Sequence, residues 1–419
     1  MRRNIELRAL ALPVVGVLTF LLATNRWTAP KVWANDATSY GVMAGAAPGV
    51  PDGKVVGSAY AGRWVPHYLV GLLADGSGLG LHTAYWVAGI AAVCALAVVA
   101  AVALAAVGAP PPLLALTLLA FLAAPYATPR ETLLAPGLLQ DEVFVLGLAI
   151  CLAGLARVRF GFVAAGALVA IAGRQTALPV LLVVAAWILF DDDWRAAVAP
   201  SRRRMEAAAV VISGLILYAG ILVVTGPFTY SFGPDSPSDT IIVSPPGLHA
   251  LAAHIGRTIV PFVVPAAVLG AIWLVRWREG ATWRDVGRRT WLCLALWAVI
   301  VVQPLVITPE YPGFSSNEQR LAGLGLLPLW LATAIALRDA VRAGQLAFDR
   351  TLATIAAAAL AAASLSHVYS SIGPKSLAQF VALQAIAGAV LAGVVLVAAR
   401  RARTARAPAA EPVLAREAA

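Results

Sequence analysis

Charge is what this chain has least of: only 12% of its 419 residues are Asp, Glu, Lys or Arg, against 60% hydrophobic and a mean hydropathy of +0.82. That shortage excludes a soluble domain of this length and makes lipid the main solvent. Cysteine is rarer still. Cys94, Cys151 and Cys293 each fall inside an apolar run, which argues against a disulfide framework or a zinc site. The histidines His67, His82, His249, His254 and His367 have no metal-ligand spacing. The sequence also lacks a phosphate-cradling P-loop, a Gly-x-Ser-x-Gly elbow and a His-Glu-x-x-His pair, so a cytosolic ATPase, a serine hydrolase of that type and a zincin are unsupported. No internal repeat is visible.

Long apolar runs are abundant instead. Twelve occur, near residues 10–24, 81–107, 113–124, 143–155, 160–172, 177–190, 207–224, 258–275, 291–307, 321–337, 352–369 and 378–399. A span needs roughly 20 apolar residues with its backbone bonded internally, so the pattern predicts an all-α polytopic transmembrane bundle of about 12 spans, within a range of 10 to 13. Three of the runs, 113–124, 143–155 and 160–172, are short, as segments that line a cavity often are. The basic head and first run look like a signal peptide. No small-x-small cleavage site follows, so the run reads as a retained first span.

The net charge of +10 comes mainly from arginines between the runs, where anionic headgroups and the orientation rule account for them without nucleic acid. Arg2, Arg3, Arg8, Arg157, Arg159, Arg195, Arg202 to Arg204, Arg276 to Arg289, Arg338 to Arg350 and the tail after Arg400 fall on one side when the spans alternate. An even number of spans with both termini in the cytoplasm therefore satisfies the positive-inside rule. The expected external loops are 25–80, 125–141, 226–256 and 308–320, on a transmembrane domain of residues 1–400. Within the first loop, 63–74 reads as a short helix on the membrane surface. Residues 401–419 read as a disordered cytoplasmic tail, rich in Ala and Pro.

Chemistry is expected on the external face. Asp36 follows the first span closely, where partial desolvation would suit a carboxylate to accept a proton or hold a divalent ion. A solvated acid that caps a helix starting at Thr38 is the plainer alternative. Asp141 and Glu142 begin the fourth run, where they could serve a shared cavity or simply complement the helix dipole. Arg174 stands between two closely spaced apolar runs, an expensive place for a guanidinium. Arg257 and Arg320 recur at external ends of later runs, as phosphate ligands or as side chains snorkelling to headgroups.

This order resembles the GT-C superfamily of polytopic membrane glycosyltransferases. The likeness rests on Asp36 with Tyr40 in the first loop, then Arg63, Trp64 and Pro66, an acid before the fourth span at Asp141 or Glu142, and Arg174 in GRQTALP. Coverage is greatest over the first half, and the motifs are short. The first-loop acid is Asn-Asp rather than the paired acids of several of its families, and Gly precedes the basic residue rather than following it. The resemblance implies transfer of a sugar from a polyprenyl-phosphate donor to an envelope glycan, lipid or protein acceptor. Asp36 would be the base, Arg174, Arg257 and Arg320 the donor-phosphate ligands, and Tyr40, Arg63 and His67 the first-loop residues that position substrate. A divalent cation, Mg or Mn, is an optional cofactor in this reading. High Ala, Arg and Val usage points to a high-GC bacterial genome, and the expected location is the bacterial cytoplasmic membrane. A transporter or lipid flippase is the rival class, weakened by the lack of a repeat and of any carboxylate deep in a run, and a non-catalytic envelope scaffold is a third.

Overall fold

The computed structural model describes residues 7–25, 37–54, 56–125, 127–230, 255–256, 258–307, 317–365 and 377–406. These residues are almost entirely helical. The helices are α1 (Leu7–Asn25), α2 (Ala37–Ala46), α3 (Val65–Ser77), α4 (Leu81–Ala106), α5 (Pro111–Leu122), α6 (Thr128–Leu134), α7 (Leu139–Arg157), α8 (Phe160–Gly173), α9 (Ala177–Phe190), α10 (Asp192–Ala197) and α11 (Pro200–Thr225). They continue with α12 (Val263–Arg278), α13 (Arg288–Ile307), α14 (Asn317–Gly323), α15 (Leu326–Arg342), α16 (Arg350–Leu365) and α17 (Leu377–Arg406). The exception is a two-residue parallel pairing of β1 (Val56–Gly57) with β2 (Thr229–Tyr230).

Each of the twelve apolar runs carries helix. Five helices are long and apolar enough to cross a membrane: Leu81–Ala106, Pro136–Arg157, Pro200–Phe228, Val260–Arg278 and Ala378–Arg406. Five more apolar helices, of 12 to 16 residues, would be roughly 18 to 24 Å long, less than the hydrocarbon thickness. Their stops are local. Pro125 forbids extension of α5, and α8 ends at Gly173 because Arg174 takes up extended backbone. The first loop forms two helices, α2 and α3, the second close to the expected 63–74. Helix α17 continues to Arg406, six residues into the segment expected to be disordered. Arg401 bonds Asp349 there, while Arg403 and Arg406 reach Glu279 at 3.8 and 3.7 Å.

Lipid offers helices no hydrophobic reason to associate, so close packing has to hold them together. Helices α7 and α8 meet backbone to backbone through glycines. A Cβ on Gly147 would come within 2.3 Å of the Ala170 nitrogen, one on Gly166 within 2.5 Å of the Cys151 nitrogen, and one on Gly173 within 2.5 Å of the Phe144 nitrogen. Helix α7 is the inner member, with 83% of its apolar window buried against 22% for α11. In the second half, α15 is buried from Leu326 to Ala336 and packs on α12, α13 and α5.

Bonds between turns sort the connections into two ends. At one, Arg288 pairs with Asp192 at 2.5 Å, Arg289 with Asp191 at 2.9 Å and Asp193 at 2.5 Å, Arg338 donates to the Val107 carbonyl, and Arg406 to that of Gly344. At the other lie α2, α3, α6, the α8–α9 turn, the β1–β2 pairing and α14. Arg130 ties this second end together, donating to the Ala123 carbonyl at 2.8 Å, to Thr24 Oγ1 at 3.0 Å and to Ser364 Oγ.

Candidate functional site

The second end holds a buried polar cluster. Helix α8 stops at Gly173, and the 3-10 turn Ser58–Arg63 and α3 pack against it. The glycine contacts then draw α7 against α8, so the first turn of α7 faces Arg174. Arg174 Nη1 donates to Asp141 Oδ1, both side chains being 2% exposed. Arg320, 5% exposed, brings Nε to 3.4 Å from Asp141 Oδ2. Arg63 Nε donates to Gln175 Oε1 at 3.0 Å, and its charge also acts on Asp141 and Arg174. Two guanidiniums thus face one buried carboxylate, and a third stands near it.

A neutral layer lies beside this charged one. His67, fully buried in α3, bonds Gln140 Oε1 through Nε2 at 3.0 Å and Tyr85 OH through Nδ1 at 2.9 Å. The imidazole therefore fits as donor to Gln140 and acceptor from Tyr85. Burial pushes its pKa down to about 3, so it stays neutral. Tyr40 from α2 stacks on it, ring centroids 4.2 Å apart and planes 2° from parallel. Gln140 immediately precedes Asp141, which joins the two layers through one turn of backbone.

Two further acids border the cluster. Glu142, fully buried, accepts from Thr132 Oγ1 at 3.5 Å. Half-buried Glu131 in α6 has its carboxyl pKa raised by burial, while Arg320 pulls it back down and Asp141 adds to the rise. Several polar atoms here are buried with no hydrogen-bond partner among the described residues: Arg174 Nε, Gln140 Nε2, Glu142 Oε1 and Thr176 Oγ1. Buried polar atoms are rarely left so, and their concentration at one place marks a site with bonds still to make.

Of the residues singled out in the sequence, Asp141, Glu142, Arg174, Arg320, Tyr40, Arg63 and His67 come together here. Asp36 and Arg257 lie outside the described residues, although α2, which starts at the residue after Asp36, contributes Tyr40 to the cluster. Sequence reasoning passed over Gln140, Gln175, Tyr85, Thr132 and Glu131. Uncharged polar residues at run ends give no cost signal, whereas Glu131 had one in the Pro-Arg-Glu start of a loop helix. A divalent cation does not fit the described residues: no three His, Cys, Asp or Glu side chains gather to hold one, and both Asp141 oxygens face guanidiniums.

The comparisons with known proteins return nothing: no family model, no curated protein and no solved structure matches the chain.

Proposed function

We propose that the chain is a membrane glycosyltransferase of GT-C type, which moves a sugar from a polyprenyl-phosphate donor to a cell-envelope acceptor at the clustered end. The observation that carries this reading is the pairing of Arg174 and Arg320 with buried Asp141, with Arg63 close by on Gln175 and the Nε of Arg174 without a hydrogen-bond partner among the described residues. Guanidiniums held in a water-poor site stabilise a phosphate as it takes on the leaving group's charge, and they do so without reorganising. Asp141 holds the arginines in place before donor arrives. Asp36 takes the proton of the acceptor hydroxyl as that oxygen attacks the anomeric carbon, and the carbon–phosphate-oxygen bond breaks in the same inverting displacement. Arg257 contributes to the phosphate site, and the neutral His67–Tyr40 stack fixes the first loop over it.

In the same proposal the helices of all twelve apolar runs cross a bacterial cytoplasmic membrane, the short ones assisted by their turns, with both termini cytoplasmic and the clustered end external. The arginine distribution between the two ends supports that orientation. An introduced thiol at Asp52 should react with an impermeant reagent in intact cells, and thiols at Arg284 and Arg342 only after the inner face is opened. The reverse pattern would invert the topology and remove the enzyme's access to an external acceptor.

Purified protein given radiolabelled polyprenyl-phosphate sugars tests the chemistry. Asp36→Asn should lower transfer by roughly 10²- to 10⁴-fold while insertion and donor binding persist. Asp52→Asn and Asp75→Asn, in the same loop, should be close to neutral. Full transfer by Asp36→Asn would remove it as the base, and loss of expression instead of rate would leave it a helix cap. Movement of the lipid across the bilayer without sugar transfer would favour the flippase reading.

A further inference from the structure

At the arginine-rich end, the last turns of α12 and the turn leading into α13 flank an open cavity of ≈ 510 Å³. Trp273, Leu274 and Trp277 line it from the helix, and Ala281, Thr282 and Val286 from the turn. Gly270 extends it along α12, with nothing within 4 Å of where a Cβ would stand. The tryptophan wall is set by packing on one side only: the Trp273 ring meets Trp291 edge-on at 5.9 Å, whereas Trp277 is 73% exposed.

The rim is cationic. Arg276 lines the cavity and donates from Nη2 to the Asp285 carbonyl at 3.0 Å. Arg278 and Arg284 are exposed and form no ion pair with a described residue. The two nearby acids are already engaged. Glu279 faces Arg403 and Arg406, and the Asp285 carboxylate accepts from the Thr282 nitrogen and hydroxyl at 2.6 and 2.9 Å. Positive charge is therefore left unpaired beside the apolar slot, with Arg276 in its lining and Arg278 and Arg284 one and two residues from the lining residues Trp277 and Thr282.

We propose that this cavity binds one anionic phospholipid, an acyl chain lying in the slot between the Trp273 and Trp277 face of α12 and the turn at residues 281–286, and the headgroup phosphate meeting Arg276, Arg278 and Arg284. The charge of the rim selects an anionic head over a zwitterionic one, and tryptophan is the side chain best suited to the boundary between acyl chain and headgroup. The site is at the opposite end from the proposed sugar transfer and does not depend on it.

The test uses full-length protein reconstituted in phosphatidylcholine vesicles doped with brominated phosphatidylglycerol or brominated phosphatidylcholine. Subtracting the fluorescence of Trp277→Phe isolates the emission of Trp277. Half-quenching should need roughly tenfold less brominated phosphatidylglycerol than brominated phosphatidylcholine. The Arg278→Ala/Arg284→Ala double variant should lose the preference. Gly270→Leu, which fills open space, should weaken quenching by both lipids, and it decides the matter if the arginine variant inserts poorly. Equal quenching by the two lipids, a preference that survives loss of both arginines, or a Trp277 shielded in a crosslinkable dimer would each overturn the proposal.

Discussion

The two ends of the bundle use the same residue types to opposite effect. At the arginine-rich end, Arg288 and Asp192 are 52% and 74% exposed, and Arg401 and Asp349 are 45% and 48%. Water and salt screen such pairs, and each contributes little beyond fixing which turn lies beside which. At the clustered end, Arg174 and Asp141 are 2% exposed each, and Arg320 is 5% exposed. Taking these charges out of water costs several kcal/mol per ion, on the order of what their mutual attraction returns. A fold gains little net stability from either arrangement, but only the buried one carries a large desolvation cost, and that difference is why a functional role is proposed there.

The contrast breaks most visibly if Asp141→Ala is tolerated. An arginine left buried without its carboxylate should cost about 3–5 kcal/mol, read as a large fall in the detergent unfolding midpoint. The Asp141→Ala/Arg174→Ala double variant should recover part of it. An Asp141→Ala loss below about 1 kcal/mol would show that water reaches the pair and that the two ends are alike. Gly166→Ala probes the packing that delivers Asp141 to Arg174. Its Cβ would meet the Cys151 nitrogen at 2.5 Å, so roughly 1–3 kcal/mol should be lost with no charge changed.

Glu131→Gln sharpens the comparison through pH. Burial raises the folded carboxyl above its ordinary value near 4.5, so the unfolded chain gives up this proton first. Wild-type stability should therefore fall as pH climbs from 4.5 through the raised folded value, and the variant should melt higher above that window and equally below it. Melting curves of the two proteins that coincide at every pH would place the carboxyl in water. The smallest effect is expected at the other end. Arg288→Gln should change stability by less than about 1 kcal/mol, and added salt should shrink even that.

The helices were legible because apolarity over a dozen or more residues needs no partner to be recognised. Where charge interrupts the runs, the sequence could say only that Arg174 was costly. That Asp141, 33 residues earlier, relieves the cost depends on the α7–α8 glycine contact, which no local pattern announces. Arg130 gives no local signal for the same reason, since its partners Thr24 and Ser364 are 106 and 234 residues away. The helical ending of α17 was missed because Ala- and Arg-rich composition looks alike in a disordered tail and in a helix whose arginines find Asp349 and Glu279.

The most direct test of the account compares two arginines that each reach the surface, one per end. Arg63→Gln and Arg288→Gln remove the same charge, and binding of a radiolabelled polyprenyl-phosphate sugar to equal amounts of inserted protein reads the result. Losing a charge-assisted contact to phosphate should weaken binding by Arg63→Gln at least tenfold, while Arg288→Gln binds as wild type does. Equal affinities for the two variants, or a loss confined to Arg288→Gln, would contradict a donor site at the clustered end.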